Sequence, residues 1–157
     1  MTDFPILLVE DDANDVFFFE RAAKRAGVTV PVRTVRDGQE AVSYLSGEGI
    51  FADRTAYPFP VLMVLDLNLP QRHGLEVLRW LRQNKSCRTL LVVVLTSSRS
   101  EVDIHEAYEL GANSYLVKPS DPADLVDVVK LFKTYWLGRN EPPPECARQA
   151  HSGAKKS

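Results

Sequence analysis

The stretch that decides the fold is residues 61–70, VLMVLDLNLP, in which five apolar residues run into Asp66 and then into an Asn-Leu-Pro turn. A continuous apolar run of this length is typical of a strand that is covered on both faces, as in a parallel sheet between helices. Asp66 then lies at the C-terminal end of the strand. In open α/β sheets ligands bind at that edge. The stretch therefore predicts a buried strand that ends in a functional carboxylate.

Length and composition indicate one soluble globular domain. The chain has 157 residues, of which 45% are hydrophobic and 25% charged, enough for a buried core. A net charge of -2 with a pI of about 5.9 does not favour a DNA partner or an anionic membrane surface. Cys87 and Cys146 lack metal-ligand spacing, which predicts reduced thiols. Neither a signal peptide nor a membrane-spanning run is recognisable, so we expect a cytoplasmic protein.

Strand and helix patterns alternate five times along the chain. Apolar strand segments are predicted at residues 5–10, 31–35, 61–65, 90–95 and 114–117. Helical patterns follow them and end near residues 27, 46, 83, 111 and 136. Right-handed crossovers would pack these units as a doubly wound parallel sheet of strand order 2-1-3-4-5 between two helical layers. Residues 1–137 are the predicted domain, and residues 138–157, which are rich in proline and polar residues, are a predicted disordered tail.

Polar side chains follow four of the predicted strands, at the edge where each strand ends. They are Asp11 and Asp12, Asp66, Thr96 and Lys118. Crowded carboxylates repel one another, and a hard divalent cation such as Mg²⁺ would relieve that repulsion. A metal, an ammonium and a hydroxyl around one carboxylate are suited to neutralising a phosphoryl group in transfer. We therefore predict Asp66 as the nucleophile that receives it.

Four motifs, VEDD, LDLNLP, VVVLTSS and YLVKP, resemble in order and spacing those of the receiver domain of two-component response regulators. The resemblance covers residues 4–136 and implies the CheY-like, flavodoxin-like three-layer sandwich. It also implies that Asp66 accepts a phosphoryl group from the histidine of a sensor kinase. Thr96 and Lys118 would contact that group, and Tyr115 would change rotamer with Thr96 as the switch on activation.

The same resemblance implies a metal site and a backbone feature. Asp12, Asp66 and the backbone carbonyl of Asn68 would bind Mg²⁺, with Asp11 helping through a water or directly. The Lys118–Pro119 peptide bond would be cis. From the residues alone, Asp11 and Asp12 could instead merely cap the first helix.

Three features indicate a subgroup: the long loop before the third strand, the motif LDLNLP, and Phe132, Trp136 and Leu137 at the end of the predicted domain. These features resemble single-domain regulators that serve phytochrome histidine kinases. A phytochrome is therefore the expected kinase. Since no output domain is recognisable after Trp136, we expect the signal to leave by contact with a downstream protein that the sequence does not identify.

A phosphatase that forms an aspartyl-phosphate intermediate is the alternative interpretation. Such enzymes need a second, acid/base Asp two residues after the nucleophile. Position 68 is Asn. Asn at this position favours a signalling protein with a longer-lived acyl phosphate over an enzyme that turns over outside substrates.

Two surfaces are expected to bind proteins. Phe17 and Phe18 lie off the apolar face of the first helix, and we predict that they contact the kinase's histidine-bearing helices. Packing under a neighbouring loop is the alternative. On the fifth helix Leu131 and Tyr135 widen the apolar arc beyond what docking on a sheet needs, which predicts a symmetric homodimer through this helix and the adjoining strand.

Overall fold

The computed structural model describes residues 4–144, which form a five-stranded sheet between two layers of helices. All neighbouring strands are parallel and their order is β2-β1-β3-β4-β5, so the predicted doubly wound fold is confirmed. The strands are β1 Ile6–Val9, β2 Val32–Val35, β3 Leu62–Leu65, β4 Leu91–Thr96 and β5 Ser114–Val117.

Five α-helices connect and follow the strands. They are α1 Ala13–Ala26, α2 Gly38–Ser46, α3 Gly74–Gln83, α4 Glu101–Glu109 and α5 Pro122–Leu131. Gly27, at φ 77°, closes α1 in the left-handed conformation that glycine adopts without a steric penalty. The predicted fifth helix continues past Leu131, but as a π-helical turn over Phe132–Leu137.

Alternate residues of the central strands enter two separate cores, because successive strand side chains point to opposite faces. Met63 and Leu65 pack into the core beneath α2, α3 and α4. Leu62 and Val64 pack into the core beneath α1 and α5. All four are at most 1% exposed, which explains the unbroken apolar run of β3. The strand is held from both sides, and the residue that follows it has a defined position.

The long connection before β3 is ordered by a half-buried arginine. It contains a 3₁₀ turn at Gly49–Ala52, and Arg54 lies just beyond that turn. The Arg54 guanidinium donates to the carbonyls of Tyr44 and Leu45 at 2.7 and 2.9 Å, at the C-terminal end of α2. It also lies over the rings of Tyr44 and Phe59. These contacts satisfy carbonyls that a helix end leaves without partners.

Three further expectations concern the Lys118–Pro119 peptide bond, the C-terminal tail and membrane-spanning helices. No peptide bond within residues 4–144 is cis, so the expected cis Lys118–Pro119 bond is wrong; trans is the intrinsically preferred isomer of an X-Pro bond. Of the predicted tail, residues 145–157 lie outside the described residues. Within the described part of the chain, each helix is too short or too polar to cross a bilayer.

Candidate functional site

Asp66 directly follows β3 and lies at the carboxyl edge of the sheet. Its N–H donates to the carbonyl of Val9 at 3.1 Å, so its backbone is still paired with the neighbouring strand. The residue is only 6% exposed. The N–H of Asn68 makes a long contact of 3.4 Å with Asp66 Oδ1 as the chain turns away. The backbone of Asp66 is therefore fixed by strand pairing, which sets the position of its carboxylate at this edge.

Lys118, the residue after β5, brings a positive charge to Asp66 at the same edge of the sheet. Its Nζ lies 3.0 Å from Asp66 Oδ2, 2.7 Å from Glu10 Oε2 and 2.8 Å from Asp15 Oδ2. An ammonium has three donors, and here each has a carboxylate acceptor. Burial by itself lowers the pKa of Lys118, but hydrogen bonds to Asp15 and Glu10 and the charge of Asp66 outweigh it and raise the pKa. Lys118 is therefore a permanent cation at this edge.

The acidic group at the site consists of Glu10, Asp11 and Asp66, whose carboxylates each offer an oxygen within 4.8 Å of the others. Sequence reasoning missed Glu10 and proposed Asp12. The cause is strand register: β1 ends at Val9, which pairs with Leu65, so Glu10 stands opposite Asp66. The predicted first strand ended one residue too late, at residue 10; ending it at Val9 and counting one residue further would have found Glu10.

Asp12 lies outside this acidic group and caps α1. Its Oδ1 accepts from the N–H groups of Asn14 and Asp15 at 2.8 and 3.1 Å. These are two of the donors that the first turn of a helix leaves unpaired. The capping interaction that sequence alone left open is therefore made by Asp12, whereas Glu10, which sequence reasoning did not propose, lies in the acidic group.

The Glu10 carboxyl is strained electrostatically. Its pKa is raised from 4.5 to about 7, mainly by burial; the hydrogen bond from Lys118 opposes the rise and the charge of Asp66 adds to it. Three crowded carboxylates and an all-oxygen donor set fit a hard divalent cation. Mg²⁺ takes such ligands and keeps several waters, which suits a group that is partly open to solvent through Asp11.

Thr96 and Tyr115 lie next to the loop that follows β4: Thr96 is the last residue of β4, and Tyr115 contacts the loop. Thr96 is fully buried, and its hydroxyl has no hydrogen-bond partner among the described residues. The Tyr115 hydroxyl donates to the carbonyl of Ser98 at 2.9 Å. The two residues predicted as a switch thus lie at the same short loop. The Tyr115 hydroxyl is hydrogen-bonded there, and the Thr96 hydroxyl is able to bind a new partner.

The predicted docking residues differ in their surroundings. Phe17 is 57% exposed, and its ring makes an edge contact with that of Phe18, centroids 5.6 Å apart. Phe18 is half-buried and lines a cavity of about 210 Å³ between α1 and the start of α5, together with Asp15 and Lys118. An apolar recess therefore adjoins the charged site. On α5 and the turn after it, Leu131 and Tyr135 are 65% and 55% exposed.

Residues 6–130 match the family model of the response regulator receiver domain. The chain belongs to this family. Receivers are signalling proteins, and the resemblance predicted from the four sequence motifs is confirmed. Two related proteins cover most of this receiver. It is 39% identical over 140 residues to FilR2 of Methanothrix harundinacea, described as a probable methanogenesis regulatory protein, with 89% of this chain and 88% of that one aligned. It is 37% identical over 132 residues to the response regulator Rcp1 of Synechocystis, with 84% and 88% aligned.

Solved structures agree with the fold and the subgroup. The phosphorylated cyanobacterial phytochrome response regulator RcpA superposes with a TM-score of 0.83 at 37% identity, covering 89% of this receiver and 98% of RcpA. The Mn²⁺-bound form of Rcp1 gives a TM-score of 0.80 at 36% identity, covering 89% and 99%. The likeness to phytochrome-associated response regulators is therefore confirmed, and a relative of this receiver binds a divalent metal.

Proposed function

We propose that this protein is a two-component response regulator that accepts a phosphoryl group on Asp66 from a sensor histidine kinase. The observation that carries the proposal is the position of the buried Asp66 carboxylate, 3.0 Å from the Lys118 ammonium and grouped with Glu10 and Asp11. Residues 1–137 are its receiver domain in this proposal. It acts in the cytoplasm and passes the signal on by contact with a protein partner.

The transfer follows from the chemistry of these residues. An Asp66 carboxylate oxygen attacks the phosphorus of the kinase phosphohistidine, the P–N bond breaks, and the imidazole leaves with the electron pair. Glu10, Asp11, Asp66 and the backbone carbonyl of Asn68 would hold Mg²⁺, which would neutralise charge on the phosphoryl oxygens. Lys118 donates to one of those oxygens through its ammonium. The buried Thr96 hydroxyl donates to another and thereby gains the partner that it lacks among the described residues at rest.

Phosphorylation with the kinase and ATP, followed by Phos-tag electrophoresis, tests this function. We expect a shifted band for the wild type and none for Asp66→Asn, with the exposed Asp53→Asn as a control that behaves like the wild type. Phosphate remaining on Asp66→Asn at the wild-type level would contradict the proposal. Sustained hydrolysis of small phosphate esters by the wild type would instead support a phosphatase over a signalling protein with, at most, self-phosphorylation and self-dephosphorylation.

A phytochrome is the proposed kinase partner. The support is the likeness to RcpA, a phytochrome response regulator. Phosphotransfer from a purified phytochrome histidine kinase is expected to be faster than transfer from a histidine kinase without a photoreceptor. Equal or slower transfer from the phytochrome would remove this part of the proposal and leave the phosphoacceptor role intact.

Phe17 and Phe18 are the proposed contact with the kinase. Phe17 is an exposed aromatic, and Phe18 lines the cavity that also includes Lys118 and Asp15, so a docked helix there would lie against the phosphoacceptor site. The double variant Phe17→Ala, Phe18→Ala should accept phosphate poorly from the kinase but normally from acetyl phosphate, which needs no docking. Val102→Ala, an exposed apolar residue on α4, is the matched control. Normal transfer from the kinase to the folded double variant would reject this contact.

A further inference from the structure

Asp15, in the first turn of α1, binds one of the three donors of the Lys118 ammonium. Its Oδ2 lies 2.8 Å from Lys118 Nζ, whose other two partners are Glu10 Oε2 at 2.7 Å and Asp66 Oδ2 at 3.0 Å. Glu10 and Asp66 belong to the acidic group of the site, whereas Asp15 lies outside it. The transfer chemistry described above assigns no role to Asp15, although it binds the same ammonium.

The position of Asp15 in α1 would ordinarily give its side chain a different partner. Asp12 is the N-cap and Asp15 the third residue of the helix, where an acidic side chain can reach back to the N–H of the cap residue. Here the N–H of Asp12 donates instead to Glu10 Oε1 at 3.1 Å. The Asp15 N–H is itself capped by Asp12 Oδ1 at 3.1 Å, so the start of the helix is fixed and the Asp15 carboxylate is left to bind Lys118.

The three carboxylates around Lys118 differ in their access to water. The side chains of Glu10 and Asp66 are 4% and 7% exposed, whereas that of Asp15 is 41% exposed. A buried carboxylate that lost the ammonium would be left as an unpaired charge at a large cost, but water can solvate the Asp15 carboxylate in its place. Asp15 is therefore the partner whose separation from Lys118 costs the protein least.

A phosphoryl group on Asp66 brings new oxygen acceptors and more negative charge to the same ammonium. The donor that faces Asp66 can pass to a phosphoryl oxygen, because the group is attached to that residue. The donor that faces Asp15 stays bound to a competing carboxylate. The negative charge of Asp15 also offsets part of the attraction between Lys118 and the phosphoryl oxygens. Asp15 thus withholds both a donor and part of the positive charge from the ligand.

We propose that Asp15 is a positioning residue that acts through Lys118 and limits how tightly the site holds a phosphoryl group on Asp66. The inference rests on the proposed role of Asp66 as the phosphoacceptor. Its effect has a defined sign: without the charge of Asp15 the ammonium is released to the ligand, and an anionic ligand binds more tightly. If Asp15 instead served only to hold the ammonium in place, loss of its side chain would weaken binding of the same ligand.

Beryllofluoride, a stable mimic of the phosphoryl group, supplies the test at saturating Mg²⁺, with binding followed by 19F NMR titration. Asp15→Asn keeps the shape and an oxygen acceptor but loses the charge. We expect it to bind about twofold to fivefold more tightly than the wild type, the equilibrium equivalent of a partly exposed ion pair. Asp15→Ala also frees the donor and should bind at least as tightly as Asp15→Asn, whereas Asp15→Glu keeps the charge and should lie closest to the wild type.

Glu20, an exposed acidic residue on the same helix, supplies the matched control, and Glu20→Gln should bind beryllofluoride like the wild type. Mg²⁺ affinity without beryllofluoride separates a charge effect from a general change of the site. Loss of an anion does not strengthen electrostatic binding of a cation, so Asp15→Asn should bind Mg²⁺ no more tightly than the wild type. Tighter binding of both ligands would show that the site had rearranged and would overturn the inference.

A merely structural role for Asp15 would lower the free energy of unfolding in urea and leave beryllofluoride affinity unchanged. Unchanged or weaker binding in Asp15→Asn and Asp15→Ala, with normal binding in the wild type, would overturn this inference alone. A wild type that binds no beryllofluoride would overturn the proposed function as well.

Discussion

Glu10 and Asp12 stand two residues apart after β1, but their carboxylates have different neighbours. Glu10 contacts the Lys118 ammonium, and its side chain is 4% exposed. Asp12 is exposed and accepts from backbone N–H groups of α1. The difference arises because the last paired residue of β1 is Val9, so Glu10 faces Asp66 while Asp12 has reached the helix. Glu10 therefore belongs to the acidic group, and Asp12 caps the helix.

This separation predicts opposite results for two isosteric changes. Glu10→Gln removes an anionic oxygen from the acidic group and should weaken Mg²⁺ binding by at least about tenfold. Asp12→Asn keeps a good capping side chain and should leave both Mg²⁺ affinity and stability close to those of the wild type. Isothermal titration with Mg²⁺ measures the first effect and urea unfolding the second. Loss of binding in Asp12→Asn with retention in Glu10→Gln would reverse the assignment.

The Thr96 hydroxyl has no hydrogen-bond partner within residues 4–144. We therefore predict that removing it gives a protein that is more stable but binds a mimic of the phosphoryl group more weakly. Thr96→Val replaces this buried hydroxyl and should raise the free energy of unfolding by about 1 kcal/mol. Beryllofluoride should bind this variant more weakly, since a donor to the ligand is gone. Thr34→Val on β2 is a matched control, because the Thr34 hydroxyl is also buried without a partner in the described part of the chain.

For the control variant Thr34→Val we expect a similar gain in stability with unchanged beryllofluoride binding. If Thr96→Val bound the mimic as tightly as the wild type, Thr96 would not be a ligand of the phosphoryl group.

At the scale of elements, the loop between β3 and α3 packs closely against the start of α2, and the start of α3 packs against the backbone of Asp66. A Cβ at Gly38 would lie 2.0 Å from the carbonyl oxygen of Arg72, and a Cβ at Gly74 would lie 2.3 Å from that of Asp66. The N–H of Gly74 also donates to the carbonyl of Leu67 at 2.8 Å. The start of α3 therefore packs directly against the backbone of Asp66, and the absence of a side chain at Gly74 permits this contact.

Gly74→Ala should displace this loop and with it Asp66. We expect a loss of about 1–3 kcal/mol in the free energy of unfolding, the usual range for overpacking, together with slower phosphorylation by acetyl phosphate. Gly49→Ala is the control: Gly49 has φ 59°, but a Cβ there would meet no described atom within 4 Å, so the change tests backbone strain without a clash. It should lose stability and keep its phosphorylation rate. A Gly74→Ala variant with normal phosphorylation would show that the contact does not position Asp66.

At the scale of the whole molecule, the outer face of α5 and the turn after it leaves apolar surface open to water. Leu131 and Tyr135 are 65% and 55% exposed, and the adjoining edge strand β5 is only partly buried along its length. Such patches on soluble proteins commonly mark an interface. A symmetric homodimer through this surface is the proposed assembly, since one copy offers the other a matching apolar face.

Sedimentation velocity tests this assembly at tens of micromolar, the range that a modest interface should populate. We expect a species of twice the 17.6 kDa chain mass for the wild type. The double variant Leu131→Gln, Tyr135→Ser should sediment as a monomer because it removes the apolar contact. Val102→Gln, an exposed apolar change on α4, controls for a general loss of hydrophobic surface. A wild type that stays at 17.6 kDa with and without beryllofluoride would end the dimer proposal.

The amino-acid sequence by itself determined the order of strands and helices, the end of α1 at Gly27 and the placement of Asp66 and Lys118 at one edge of the sheet. These features depend on local periodicity, on capping and on the rule that parallel strands end at the same edge.

Only the tertiary structure decided which neighbours these side chains have. Glu10 faces Asp66 through strand register, and Asp15 reaches Lys118 across 103 positions of the chain. The Thr96 hydroxyl meets no partner among the described residues, and Ser98 is tied to Asp103. Each depends on a distance of a few ångströms between groups on different elements, or on the rotamer of one side chain. Packing sets both, and the local sequence pattern does not record them.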